Sequence, residues 1–353
     1  MSNQTDPPSP CDAKSAIPPA FASHGLTSGR YGRPGLWVEF MSGIAPTVAP
    51  NRVARHNADH WLYCAGYSLD EFLTDRTRSR WRWNGAGRRR TVCGMTKQYL
   101  PIRTPDELDA MREAGRVVAV TLQAVRRAAV PGAKLSDLDD LAKTSIREAG
   151  GSSSFLGYAP SWAPTPFNGV LCLSPNEMVV HGRPSGRRLH DGDLLSIDCG
   201  AIIDGWHGDA ALTVHVGSST EADQRLVRAT EEALAAGIRA ATPGSTLLDV
   251  AAAVDAVARQ YGYAHLPDHG GHGIGTSMHE APFVPNQPTA SAHQHRLRAG
   301  NTLAIEPMLL AGGERYRTKR DGWSIITADG KRAAHVEHTV SVTDDGPVVL
   351  TTS

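Results

Sequence analysis

The stretch AAVPGAKLSDL at residues 128–138 returns 112 residues later as AATPGSTLLDV at residues 240–250. Each copy joins the end of one helix, through a Pro-Gly break, to a second helix that ends near Gly150 or Gly262. Chance likeness between alanine-rich helices is the alternative. It leaves unexplained why Pro-Gly and the following aspartate keep their register, so we interpret the two copies as an internal repeat.

Apolar segments with strand composition follow the copies, for example residues 194–203 and 211–216. A pair of helices does not bury its apolar faces alone, so each pair should pack against strands. We therefore predict an α/β fold of two half-domains around a pseudo-twofold axis, with any functional site between them.

A helix start is visible at residues 104–107, where TPDE forms a capping box with proline at the first helical position. Apolar residues then recur with helical spacing, which predicts a helix to about Val130. Residues 1–95 instead mix Pro, Gly, Ser and Arg without periodicity. We predict a poorly ordered extension there and a folded domain at residues 96–353.

The extension contains a basic tract with tryptophans at residues 76–90. A solvated tail is one interpretation, and contact with ribosomal RNA is another, because clustered arginines neutralise phosphates. A third is that translation starts at Met95, directly before the folded domain.

Composition excludes several classes of protein. Lys+Arg and Asp+Glu both total 36, so no net charge steers the chain toward nucleic acid. The five cysteines form no C-x-x-C pair, which argues against a disulfide framework or a cysteine zinc site. No run of eighteen apolar residues occurs. We expect a soluble, cytoplasmic protein with no membrane segment.

Two aspartates interrupt segments of strand composition. Asp198 lies within LLSIDC at residues 194–199, and Asp209 follows it by eleven residues, after a plausible turn at Asp204-Gly205. A carboxylate in such a strand is costly to bury without compensation, although a position at a sheet edge facing water would avoid that cost. Antiparallel strands joined by this turn could bring both carboxylates to one spot.

Three further candidate ligands lie within apolar or glycine-rich segments: Glu306 in LAIEPM, Glu337 in AHVEHTV, and His272 in the glycine-rich GGHGIG. Each alone has an ordinary structural interpretation. Together, four half-buried carboxylates would be neutralised by two divalent cations, and oxygen ligands with one imidazole suit such a pair. Two cations roughly 3.5–4 Å apart generate hydroxide at neutral pH.

These residues resemble those of the type I methionine aminopeptidases, which have the pita-bread fold: two pseudo-twofold-related α/β halves, a central antiparallel sheet and outer helices. The resemblance runs from about residue 100 to 350. Its blocks are CLSPNEMVVHG (172–182), residues 198–209, residues 271–280, IEPM (305–308) and EHT (337–339).

The resemblance implies that Asp198 binds one cation, that Asp209 and Glu337 bridge both, and that His272 and Glu306 bind the second. Glu306 would also move a proton between the nucleophilic water and the leaving amide. Co, Mn, Fe and Zn all fit this ligand set.

Two further histidines match the family pattern, although each could be purely structural. His181 would hydrogen-bond the substrate amide nitrogen, and His279 would stabilise the carbonyl oxygen. The implied methionine pocket is formed by Tyr158, Phe167, Cys172, Met278 and Trp323, the last of which could instead be ordinary core. Two departures affect the shape of that pocket: the segment between Tyr158 and Phe167 is longer than expected, and Met278 replaces an often aromatic residue.

The implied function is removal of the initiator methionine from nascent proteins with a small second residue, by a monomer. An Xaa-Pro aminopeptidase or prolidase on the same fold is the rival enzyme. A non-catalytic relative that binds without hydrolysis is the rival from another class, although all five family ligands are present. No H-E-x-x-H or G-x-S-x-G motif occurs, which argues against zincins and serine hydrolases.

Overall fold

The protein is described by a computed structural model that covers residues 100–292 and 295–353. The predicted extension at residues 1–95, its basic tract and Met95 lie outside the described residues. The proposed ribosomal contact and the alternative start therefore stay predictions, as does the predicted domain boundary.

Four helices and fifteen strands form the described part of the chain. The helices are α1 (Pro105–Ala128), α2 (Leu135–Glu148), α3 (Glu221–Ala240) and α4 (Leu247–Tyr261). The strands are β1 (Ser152–Ser153), β2 (Leu171–Pro175), β3 (Met178–Val180), β4 (Asp193–Ile203), β5 (Trp206–Val216), β6 (Ala264–His265), β7 (Gly270–Gly273), β8 (Glu280–Pro285), β9 (Thr302–Ile305), β10 (Met308–Leu310), β11 (Tyr316–Thr318), β12 (Ile325–Thr327), β13 (Ala333–His335), β14 (Glu337–Thr343) and β15 (Gly346–Val349).

The largest sheet in these ranges has nine strands, all paired antiparallel. Its order is β1-β4-β5-β14-β9-β7-β8, with β2 also beside β4 and β15 also beside β14. Strand β14 pairs with β5 on one side and β9 on the other, so it joins the two halves of the chain. Two smaller three-stranded sheets, β13-β10-β6 and β11-β12-β3, lie beside it.

Helix α1 begins where the sequence predicts. The Thr104 hydroxyl accepts from the Glu107 backbone N–H, and the Glu107 carboxylate accepts from the Thr104 N–H. The helix ends at Ala128, two residues before the predicted Val130, because the chain turns there toward Pro131. No helix in the described ranges is long and apolar enough to cross a membrane.

The sequence repeat is also a structural repeat. In the first half the Gly132 N–H donates to the Leu189 carbonyl at 2.7 Å, and in the second the Gly244 N–H donates to the Leu297 carbonyl at 2.9 Å. Both glycines have positive φ, which permits the turn after the helix. The predicted fold of two related α/β halves with a central antiparallel sheet is therefore confirmed.

The hairpin β4–β5 brings the two aspartates together. Its turn, Asp204-Gly205, has φ of 48° and 82°, the conformation of a tight two-residue hairpin turn. The register sets Asp209 opposite Gly200, two residues beyond Asp198. Since alternate residues share one face of a strand, both aspartate side chains lie on the same face of the sheet.

Candidate metal centre

The five predicted metal ligands come from five strands that are neighbours in the sheet order β4-β5-β14-β9-β7. Asp198 is on β4, Asp209 on β5, Glu337 opens β14, Glu306 directly follows β9, and His272 is on β7. All five side chains line one cavity. The sheet therefore explains how residues far apart in sequence converge.

The distances within this group suit a shared cation. Ligand atoms of Asp209, His272 and Glu337 lie within 4.8 Å of one another. His272 Nε2 is 3.8 Å from Glu306 Oε1. One oxygen each of Asp198, Asp209 and Glu337 is buried without a hydrogen-bond partner among the described residues. Buried carboxylate oxygens are costly unless they are paired or ligate metal, so these residues fit divalent cations.

The protein alone does not favour four negative charges here. Burial raises the pKa of Asp198 well above its usual value, and the nearby Asp209 charge raises it further. Burial raises the pKa of Asp209 to about 7. Burial and neighbouring carboxylates likewise raise the pKa of Glu306 and of Glu337. Positive charge from cations would reverse these shifts.

The imidazoles of His272 and His279 are both neutral in this cavity. Burial lowers the pKa of His272 to about 4, and neutral imidazole is the form that ligates metal. Burial, then the neighbouring His272, lowers the pKa of His279 well below its usual value. The His279 ring lies 4.3 Å from that of His272, and its Nδ1 lies 2.9 Å from the Tyr158 hydroxyl. A hydroxyl that donates to Nδ1 leaves the imidazole proton on Nε2.

His181 directly follows β3 and has φ of 59°, in the left-handed region that favours glycine. Such strained positions concentrate at functional sites. The imidazole lines the same cavity as the predicted ligands.

The predicted methionine pocket is also present as a group. Tyr158, Phe167, Cys172, Met278 and Trp323 all line the cavity, next to the predicted metal ligands. The Phe167 and Trp323 rings meet edge to face with centroids 5.0 Å apart, which is favourable aromatic geometry.

Trp162 is a cavity residue that the sequence interpretation missed. Its ring stacks on His181 with centroids 6.4 Å apart at 27°, and meets Trp323 at 4.9 Å. The surrounding segment is anchored, because the Phe167 N–H donates to the Tyr158 carbonyl at 2.8 Å. The unusual length of the segment between Tyr158 and Phe167 was the feature of the sequence that could have drawn attention to Trp162.

His335 was also missed. Its Nε2 lies 3.5 Å from Glu306 Oε2 and 4.0 Å from Glu337 Oε2. The sequence offered one sign of this contact: His335 and Glu337 are two residues apart, and side chains at that spacing can share one face of a strand.

A cavity that gathers four buried or half-buried carboxylates and an imidazole between two α/β halves is typical of a metal-dependent hydrolase. The sequence pattern of metallopeptidase family M24 matches residues 109–344. Methionine aminopeptidase 1 of Mycobacterium tuberculosis is 48% identical over 262 residues, which is 72% of this chain and 96% of that protein. The chain therefore belongs to metallopeptidase family M24, in its branch of type I methionine aminopeptidases.

Solved structures agree with this assignment. The chain is similar to the crystal structure of methionine aminopeptidase from Thermotoga maritima, with a TM-score of 0.68 and 38% identity, over 72% of this chain and all of that one (100%). The prolidase from Pyrococcus furiosus has a TM-score of 0.56 and 22% identity, over 71% of this chain and 65% of its own. That second likeness shows the shared fold alone.

Proposed function

We propose that this protein removes the N-terminal methionine from nascent polypeptides whose second residue is small, and that it does so with two divalent cations. The observation that supports this most is the convergence of Asp198, Asp209, His272, Glu306 and Glu337 on one cavity beside an aromatic pocket. The named relatives are methionine aminopeptidases, which favours the same substrate.

Two cations held by these ligands would supply a hydroxide nucleophile at neutral pH and stabilise negative charge on the substrate carbonyl. In the assignment from the resemblance, Asp209 and Glu337 contact both cations, Asp198 the first, and His272 and Glu306 the second. Co, Mn, Fe and Zn remain the candidates for these cations.

Glu306 would accept a proton at its carboxylate and return it to the leaving amide nitrogen. The imidazole of His279 would donate to the carbonyl oxygen as charge develops there, consistent with a neutral ring whose Nδ1 faces the Tyr158 hydroxyl. His181 would hydrogen-bond the amide nitrogen on the leaving side.

The methionine side chain would enter the pocket of Tyr158, Phe167, Cys172, Met278 and Trp323. An apolar pocket discriminates by about 1–3 kcal/mol per methylene, so selectivity for methionine should be strong but not absolute.

The second residue would lie beside His181 and the cations, in a confined cavity that the Trp162 ring also lines. This crowding is the reason for expecting small second residues. A cytoplasmic location and a monomeric state are part of the same proposal and rest on the sequence.

A peptide panel tests the function directly. Metal-free protein supplied with Co²⁺ or Mn²⁺ should cleave Met-Ala-Ser and leave Ala-Pro-Ala intact, whereas the reverse would support the prolidase alternative. Asp209→Ala and Glu337→Ala should abolish cleavage, while Asp109→Asn, an exposed surface change, should not. Hydrolysis that survives both alanine variants would show that this cavity is not the catalytic centre.

A further inference from the structure

His335 is the last residue of β13, and its imidazole is buried, with 2% of its side chain exposed. Neither ring nitrogen has a hydrogen-bond partner among the described residues. Its backbone is fixed, because its N–H donates to the Thr213 hydroxyl at 3.0 Å. A buried imidazole with both nitrogens unsatisfied is costly and calls for a missing partner.

His335 lies close to two of the candidate metal ligands. His335 is opposite Met308, which lies two residues after Glu306, and Glu337 lies two residues after His335. The Nε2 atom is 3.5 Å from Glu306 Oε2 and 4.0 Å from Glu337 Oε2.

The 3.5 Å separation between His335 Nε2 and Glu306 Oε2 suits a shared cation better than a direct hydrogen bond. A hydrogen bond between a ring nitrogen and a carboxylate spans about 2.7–3.2 Å, which is shorter than either distance. Two ligand atoms that each lie about 2.0–2.2 Å from a shared cation are roughly 3–3.5 Å apart. The ligand atoms of Glu306, His335 and Glu337 all lie within 4.8 Å of one another.

We propose that His335 Nε2 is a sixth protein ligand, which binds the cation held by Glu306 and Glu337. This inference rests on the proposed dinuclear centre and adds a residue to it. Glu337 belongs both to this group and to the group with Asp209 and His272, so the two groups adjoin at this carboxylate.

An added imidazole changes which metal this position prefers. His272 Nε2 lies 3.8 Å from the other oxygen of Glu306, so the same cation would be bound by two imidazoles. Imidazole suits Zn, Fe, Ni and Cu, whereas carboxylate and water suit Mn and Mg. The cation next to His335 is therefore Zn²⁺ or Fe²⁺ in preference to Mn²⁺.

The test compares the full-length protein with His335→Gln and His335→Ala, each stripped of metal and reloaded with Zn²⁺ or Mn²⁺. His338→Gln is the matched control, because that histidine lies on the adjacent strand and its Nδ1 contacts Thr351 at 2.8 Å, away from the cavity. X-ray absorption of the Zn²⁺-loaded proteins counts imidazole ligands, and calorimetry gives the Kd for each metal. Circular dichroism identifies any variant that fails to fold.

We expect both His335 variants to lose one imidazole per protein. Their affinity for the Zn²⁺ at this position should fall by at least about 10- to 100-fold, the range already seen when only an outer partner of a ligand is removed. Mn²⁺ affinity should change less, and His338→Gln should match the parent protein.

Two results would overturn the proposal. One is an unchanged imidazole count and Zn²⁺ affinity in His335→Gln. The other is a loss of Zn²⁺ affinity in His335→Ala that is absent in His335→Gln. The glutamine amide can replace the imidazole as a hydrogen-bond donor but not as a metal ligand. Cleavage of Met-Ala-Ser by the parent protein is measured in a separate assay. If that cleavage fails, the proposed function is wrong, but the number of imidazole ligands still tests the role of His335.

Discussion

Removal of divalent cations should make the stability of this protein depend strongly on pH. Four carboxyl groups share one buried cavity, and burial raises the pKa of each. For Asp209 the pKa rises from 3.8 to about 7. A folded state with a raised carboxyl pKa binds the proton more tightly than the unfolded chain does, so ionisation favours unfolding.

The sign and size follow from that pKa. Well below pH 3.8 Asp209 is protonated in both the folded and the unfolded state, and its pKa shift does not change the free energy of unfolding. As pH rises to about 7 the unfolded chain ionises first, and the metal-free protein loses stability. A pKa difference of about three corresponds to a loss of about 4 kcal/mol from this one residue. Asp198, Glu306 and Glu337 act in the same direction.

Urea unfolding of chelator-treated protein at several pH values between 5 and 8 measures this loss. Over this pH range Asp209→Asn should remove about 3 kcal/mol of the pH dependence in the metal-free protein, because the amide does not ionise and the rest of the loss falls below pH 5. Asp109→Asn controls for a change of surface charge, since that side chain is 72% exposed. Zn²⁺ or Co²⁺ should restore stability at pH 8 in the parent protein and much less in Asp209→Asn.

A metal-free protein that is equally stable at pH 5 and pH 8 would refute the reasoning. So would an Asp209→Asn variant that is less stable than the metal-free parent at pH 8.

Three further predictions concern other parts of the molecule. His279→Ala should lower kcat on Met-Ala-Ser by about 10²- to 10³-fold, because it removes a donor to the carbonyl oxygen, and metal content measured in parallel should stay normal. Trp162→Ala should raise kcat/KM for Met-Leu and Met-Val peptides while leaving Met-Ala cleavage near the parent rate, because it removes a large ring from the cavity next to His181. Gly115→Ala should destabilise the protein by about 1–3 kcal/mol in urea unfolding, because its Cβ would lie 2.2 Å from the Leu350 carbonyl oxygen, whereas Gly186→Ala, which meets nothing within 4 Å, should be nearly neutral.

The fold was predictable from the sequence because its decisive signals are local. The Pro-Gly breaks of the repeat become the equivalent anchors at Gly132 and Gly244. The Asp204-Gly205 turn, read with the apolar segments on either side, places Asp198 and Asp209 on one face. Both signals depend on backbone preferences that operate over a few residues.

The full site was less predictable because it depends on strand order. Sequence periodicity gives no sign that the strand of Glu337 lies between those of Asp209 and Glu306. Only the family resemblance implied that these residues converge. For the same reason Trp162 and His335 went unnoticed. Trp162 is 19 residues from His181 and His335 is 29 residues from Glu306, and in both pairs the contact is decided by tertiary packing.

The position of β14 has a consequence for biosynthesis. Because β14 is near the end of the chain and joins the two halves of the sheet, a ribosome must translate through Glu337 and beyond before the sheet can close. Partial chains released earlier would lack both this joining strand and one cation ligand. The molecule should therefore acquire metal and activity together, in one late step of its own synthesis.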